Sequence, residues 1–339
     1  MHRSLLPFLR DPGTGGPLSL EQMTLQEGAE VMEGGLHGEN GKTYAICNGI
    51  PRFVQDDGYT ENFGLQWNRY RLVQLDSRNG THISRDRFHE GTGWRTDELA
   101  GKRVLEVGCG AGRFTEILLA AGAEVIAMDY SSAVDACAAN HWPHPRLHIL
   151  QADVFRLPIA PSSVEYVFCY GVLQHTPDPE RAFRCLLPPL RPGGKIAADV
   201  YRRWVPSRRR PLPDRWQSKF LYRWLTKRLP PSLLRGIAEW YVPLWFPIDN
   251  AMRRIPVLRR IVPLLVPCWN YTGILPLSRE QLVQWAILDT FDALSARYDF
   301  PQTIASVREW CSRTDLADVS IRRGGNGILL NARKPATEK

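Results

Sequence analysis

Residues 104–114, Val-Leu-Glu-Val-Gly-Cys-Gly-Ala-Gly-Arg-Phe, constrain the fold of this 339-residue chain more than any other stretch. Apolar Val104, Leu105 and Val107 surround one acid, Glu106. Glycine then occupies positions 108, 110 and 112, and an amphipathic run follows from Thr115 to Ala121. This pattern predicts a buried parallel strand that passes through a side-chain-free turn into a helix. Glycine has no Cβ, so such a turn is expected to let backbone N–H groups approach a ligand closely at a helix N-terminus. The dinucleotide fingerprint would need a third glycine at position 113, where the chain has Arg113.

Two more acids stand at predicted strand ends. The apolar run 124–129 finishes at Asp129, 23 residues beyond Glu106, and the run 147–153 finishes at Asp153, 24 residues later. A carboxylate at the second strand tip can accept hydrogen bonds from both hydroxyls of a ribose diol. The strand 164–169 then leads into Tyr170-Gly171-Val172-Leu173-Gln174-His175. After it come a helix at 179–187, a turn at 190–194 and a strand at 195–201. Strands alternating with helices predict an α/β fold with a doubly wound, mostly parallel sheet.

These landmarks, in this order, resemble the class I S-adenosylmethionine-dependent methyltransferases, whose first motif has the form Glu-x-Gly-x-Gly-x-Gly. The phrases His175-Thr176-Pro177-Asp178-Pro179 and Arg191-Pro192-Gly193-Gly194 are similar to members acting on small molecules. The resemblance extends over roughly residues 100–200 and, less closely, 278–333. It implies a seven-stranded, Rossmann-like sheet closed by a C-terminal hairpin, here 318–333 around Gly324-Gly325-Asn326-Gly327. It also implies S-adenosylmethionine as cofactor. Glu106, Gly108, Cys109, Gly110 and Gly112 would belong to the methionine side. Asp129 would stand at the ribose and Asp153 at the adenine, each with its neighbour, Tyr130 or Val154, also at the cofactor, and Tyr170 and Gly171 would lie in the loop beside the adenine and methionine flanks.

The cofactor's sulfonium is already an activated electrophile, so placement of the acceptor supplies much of the rate. An oxygen or carbon acceptor also needs a proton removed, and His175 is the candidate base, with Tyr170 and Tyr271 behind it. A structural histidine holding the loop of Pro177 is the alternative. No Asn-Pro-Pro-Tyr-like sequence and no Pro-Cys pair follows the fourth strand. This argues against methylation of exocyclic amines and of cytosine C5. The reading is methyl transfer to oxygen or carbon of a small or lipid-linked acceptor. A tRNA or rRNA methyltransferase and a non-catalytic cofactor-binding scaffold are the alternatives.

Five regions follow. Residues 1–58 resemble a small Trm112-like unit, but neither 11–14 nor 37–40, where its cysteine pairs should fall, contains a cysteine; a metal-free packing unit is expected. Residues 59–100 are a helical lead-in in which Phe63, Trp67 and Tyr70 share one helix face, either as core or as a lid, with Gln66 and Arg69 beside them. The cofactor core is 101–200, and 278–339 completes it. Between them lies an insert at 201–277, where residues 201–275 hold 15 Lys and Arg against three acids, while the whole chain is only +8. Ten prolines there predict short helices, the clearest from Asp214 to Leu229, and six of the 11 tryptophans fall in it. Such an insert suits a packed cap, an anionic membrane surface or, less well, nucleic acid.

Seven scattered cysteines without a C-x-x-C pair predict reduced thiols, no metal site and a cytoplasmic protein. Association with the inner membrane surface is a further option. The first residues have too short an apolar run for a secretory signal, and no segment approaches the length of a membrane span.

Overall fold

The structure is a computed structural model and describes residues 1–27, 30–56, 58–203 and 218–336. A small antiparallel sheet runs in chain order through β1 (Leu18–Glu27), β2 (Glu30–Gly38), β3 (Thr43–Cys47) and β4 (Ile50–Pro51). The large sheet comprises β5 (Arg103–Val107), β6 (Glu124–Asp129), β7 (Leu147–Gln151), β8 (Val164–Cys169), β9 (Leu190–Val200), β10 (Ala317–Gly324) and β11 (Gly327–Arg333). Its order is β10-β11-β9-β8-β5-β6-β7, with β11 antiparallel to both neighbours and the other pairings parallel. This is the doubly wound, seven-stranded fold the sequence predicts.

The strand order explains where a site can form. From β5 the chain moves outward through β6 and β7, then returns to the other side of β5 for β8 and β9. The helices therefore diverge at the β5–β8 boundary and leave a crevice at the carboxyl ends of those strands. Both faces of these strands are covered, so Val104, Leu105, Val125, Ile126, Val167 and Phe168 are all buried. Helix starts follow local chemistry. Asp178 accepts the N–H of Arg181 ahead of Pro179, and Ser278 and Gln281 form a reciprocal capping box for the helix Arg279–Ser295. One boundary differs from expectation. The predicted turn at 190–194 is taken into β9, because Leu190 already pairs with Val164 before a register shift.

The N-terminal unit has its own sheet but no independent core. Leu5, Leu9, Leu36 and Ile46 share one apolar cluster with Leu105, Val107, Ile126 and Leu150. Its exit strand docks beside β7, where Phe53 N–H donates to the Gln151 carbonyl at 2.8 Å and Arg52 Nη1 to Gln151 Oε1 at 2.9 Å. The loops 11–14 and 37–40 meet around a carboxylate. Asp11 Oδ1 accepts the Gly13 N–H at 2.6 Å and the Tyr44 hydroxyl at 3.0 Å, while a Cβ at Gly38 would lie 2.0 Å from Asp11 Oδ2.

The insert departs from the prediction. The start of the helix expected from Asp214, with Trp204 and Trp216, lies outside the described residues, and the helix runs Ser218–Thr226. Prolines do not divide the next segment. One helix continues from Pro231 to Met252 through Pro243 and Pro247. Each internal proline removes a helical hydrogen bond, but Leu234, Ala238, Val242 and Phe246 are buried in one cluster with Leu282, Ala286 and Phe291 of the helix Arg279–Ser295. That packing offsets the lost bonds. Among the described residues, no helix is long and apolar enough to cross a membrane.

The Asp11 tie yields a test of the N-terminal unit. Asp11→Ala strands the Tyr44 hydroxyl and is expected to cost about 2 kcal/mol in denaturant unfolding, while a zinc chelator leaves the wild-type midpoint in place. A cost near zero, or a midpoint that falls with chelator, contradicts this account.

Candidate active site

The glycine bend forms one unit with the tip of β6. Gly108 N–H and Cys109 N–H both donate to the Met128 carbonyl, at 2.7 and 3.0 Å, and Gly110 N–H donates to Asp129 Oδ2 at 3.0 Å. Gly112 N–H returns to the Cys109 carbonyl at 2.8 Å. These four donors are used within the chain, so the expectation that they reach a ligand is corrected. What the missing side chains provide is room. Gly108, at φ +79°, has Val172 where a Cβ would stand, with 2.0 Å to Val172 Cγ2. Over Gly110 the indole of Trp67 would lie 3.2 Å from a Cβ.

Beside the bend opens a cavity of about 940 Å³. Of the predicted residues, Gly108, Cys109, Gly110, Asp129, Tyr130, Val154, Tyr170, Gly171 and His175 stand on its wall. Glu106, Gly112 and Asp153 do not. Glu106 is buried behind the bend and accepts the Thr115 hydroxyl at 2.6 Å; burial pushes its pKa up to about 8. The space beside Gly112 belongs to His141, and Asp153 Oδ1 caps the turn that follows by accepting the Phe155 N–H at 2.9 Å. Asp129 is oriented on its other oxygen by Ser131, through N–H at 2.9 Å and hydroxyl at 2.8 Å. Cys109 is buried beside Cys137; that contact and burial raise its thiol, which keeps it protonated and non-nucleophilic.

The lead-in helix Glu61–Arg69 closes over this half of the cavity. Its aromatic face is divided: Phe63 and Trp67 line the cavity with Gln66, whereas Tyr70 belongs to the helical core and donates to Glu239 Oε1 at 2.7 Å. Arg69 pairs with the same carboxylate.

His175 is buried, with its ring 5.1 Å from Phe63 and 5.3 Å from Tyr201. Nδ1 lies 3.0 Å from the Tyr298 carbonyl, which can only accept, so the proton is on Nδ1 and Nε2 carries the lone pair. Burial lowers the pKa and keeps the ring neutral. Tyr170 is different: burial raises its phenol, and its hydroxyl has no partner among the described residues. It stays protonated and cannot serve as a base.

Of the far end of the cavity, sequence reasoning named only Tyr271. Asp289 and Asp292, one turn apart on the helix Arg279–Ser295, line it with Asp299, Tyr201 and Tyr271. Asp289 Oδ2 accepts the Tyr271 hydroxyl at 2.6 Å and Trp285 Nε1 at 3.1 Å. Burial pushes its pKa up to about 6, and that of Asp292 up to about 7. Lys219 and Arg223 both pair with Asp299 Oδ2, at 2.8 and 2.6 Å. Acids three residues apart on an amphipathic helix read as a solvated face, so the sequence carried no signal for this cluster. Asp199 was missed too: it accepts the Gly171 N–H and pairs with Arg87 at 2.8 Å, which fixes the loop after β8.

A family model described as a methyltransferase domain matches residues 105–198. The chain is 35% identical over 116 residues to a ubiquinone biosynthesis O-methyltransferase from Xanthomonas euvesicatoria pv. vesicatoria, covering 31% of this chain and 46% of the relative. It is also 35% identical over 122 residues to the protein of that name from Idiomarina loihiensis, covering 33% and 47%. The chain thus spans about half the length of these curated relatives. A solved SAM-dependent methyltransferase from Methanosarcina mazei superposes with a TM-score of 0.40 at 12% identity, over 74% of this chain and 97% of that one. The chain carries a class I S-adenosylmethionine-dependent methyltransferase domain. The bend and the Asp129 carboxylate beside an open cavity fit that cofactor's methionine and ribose parts.

The packing of the bend can be tested directly. Gly108→Ala is expected to destabilise the chain by about 2–3 kcal/mol, through backbone strain plus collision with Val172. In a Val172→Ala background the same change costs about 1 kcal/mol less. Equal costs in the two backgrounds contradict the packing account.

Proposed function

We propose that this chain methylates a hydroxyl oxygen, or an acidic carbon, of a small or lipid-linked acceptor, using S-adenosylmethionine. The observation that carries this reading is the state of His175: neutral, with its proton turned to the Tyr298 carbonyl and its lone pair available at the cavity wall. An oxygen acceptor needs such a base, because its proton must leave as the new bond forms. Oxygen methylation is also what the printed names of the curated relatives state of those proteins.

When bound, the cofactor supplies a methyl group already activated on a sulfonium. The residues do the rest. Asp129 holds a diol, Trp67 and Phe63 cover the bend and exclude water, and His175 Nε2 takes the acceptor proton. Asp289 and Asp292 face the acceptor end. With a pKa of about 7, Asp292 is partly protonated near neutral pH and can either donate to or accept from a hydroxyl. Its carboxyl makes no hydrogen bond among the described residues, whereas Lys219 and Arg223 are tied to Asp299. Such a wall favours a neutral, hydroxyl-bearing acceptor over a phosphate. The acid cluster therefore supports the small or lipid-linked reading over a nucleic-acid substrate.

The test uses methyl-labelled S-adenosylmethionine with a cell extract. Label is expected in the solvent-extracted lipid and small-molecule fraction. His175→Asn should lower the initial rate about 100-fold or more. The wild-type rate should rise from acid pH to a plateau with its midpoint below that of a free histidine, because burial lowers the pKa and only neutral His175 accepts a proton. Label entering RNA instead, or a His175→Asn rate equal to wild type, overturns the proposal.

A further inference from the structure

The insert presents an apolar outer surface that none of the described residues covers. On the helix Pro231–Met252, Leu233, Ile237, Trp240, Leu244 and Ile248 are all exposed, Trp240 at 71%. At about 100° per residue these five fall within an arc of about 80°. The opposite side of the helix carries the buried Leu234, Ala238, Val242 and Phe246. Two neighbouring helices continue the surface. Leu221, Trp224 and Leu225 are exposed on Ser218–Thr226, and Ile261 and Leu265 on Leu258–Leu265. The third helix touches both others, and Tyr222 donates its hydroxyl to the Leu265 carbonyl at 2.9 Å.

The charge around this surface has one sign. Lys227, Arg228, Arg254, Arg259 and Arg260 are exposed and make no ion pair among the described residues. Residues 218–277 contain two acids, and both turn inward: Asp249 is buried against Arg253, and Glu239 bonds Tyr70 and Arg69. Exposed aliphatic side chains ringed by cations that are unpaired among the described residues, with no exposed acid in residues 218–277, match the acyl and headgroup layers of an anionic bilayer. RNA would pair the same cations with phosphates, but it stacks on flat rings, and here aliphatic side chains outnumber rings. A second copy would bring like charges together. No described helix can span a membrane, so contact is with the surface.

From this surface we propose that helices 218–226, 231–252 and 258–265 dock the protein onto anionic lipid bilayers. The placement connects to the cavity through a single helix. Lys219, Phe220 and Arg223 of Ser218–Thr226 line the cavity, while Leu221, Trp224 and Leu225 of the same helix face outward. One helix thus separates the acceptor end from the lipid. The docking itself requires neither cofactor nor methyl transfer, so its failure and the failure of that reading are distinguishable.

The full chain is sedimented with vesicles of phosphatidylcholine, with and without phosphatidylglycerol, in the absence of cofactor. Binding to the phosphatidylglycerol vesicles is expected, with a blue shift of tryptophan fluorescence in wild type. The double variant Trp240→Glu/Leu244→Glu should weaken binding at least tenfold, and Arg259→Glu/Arg260→Glu should weaken it further as salt falls. Both variants lie on exposed positions, and an unchanged melting midpoint verifies their fold. Wild type that stays in the supernatant without a fluorescence shift overturns the proposal. So does RNA binding without vesicle binding, or a wild-type dimer that Trp240→Glu/Leu244→Glu dissociates.

Discussion

Every part of the site depends on the joint between the glycine bend and the tip of β6. Two successive N–H groups on the Met128 carbonyl and a third on Asp129 lock the bend to the neighbouring strand. The carboxylate is thereby aimed by the very turn it stabilises. Val172 occupies the space that a side chain at position 108 would need, so the loop after β8 is seated against the same joint. Three crossings of the sheet become one rigid floor. Rigidity at this level matters because methyl transfer gains most from placement and little from covalent help.

Above that floor the cavity divides by chemistry. The end at the bend is roofed by rings from the lead-in helix, with Trp67 over Gly110 and Phe63 against His175. The other end is walled by the helix Arg279–Ser295 and the insert, and it is lined by Asp289 and Asp292, whose pKa values burial has raised. His175 stands between the two, held by the Tyr298 carbonyl. The insert thus lines the acidic end of the cavity with its inner face, while its outer face remains apolar and cationic. A single helix belongs to both surfaces.

The sheet, the bend and the closing hairpin were legible in the sequence because their rules are local. A strand covered on both faces must be apolar throughout, a turn at positive φ needs glycine, and Ser278-x-x-Gln281 caps its helix by its own side chains. The acidic end of the cavity was not legible, because it is assembled by residues distant in sequence. Asp292 and Asp299 meet Lys219, Arg223 and His175 only after the insert folds back. Proline gave the wrong answer at 243 and 247 for the same reason. Its cost is local, while the burial of Val242 and Phe246 that overrides it is tertiary. Glycine at 108 was predicted correctly, but for the wrong purpose: its role is to admit Val172 rather than to expose an amide.

We propose that the Asp129 carboxylate, held by Gly110 and Ser131, receives the ribose of S-adenosylmethionine or its demethylated product. Titration calorimetry of S-adenosylhomocysteine against wild type and Asp129→Ala measures this most directly. The account predicts one site in wild type and an affinity at least about tenfold weaker in the variant, with its circular dichroism unchanged. No heat with well-folded wild type, or equal affinity in the two proteins, would contradict it.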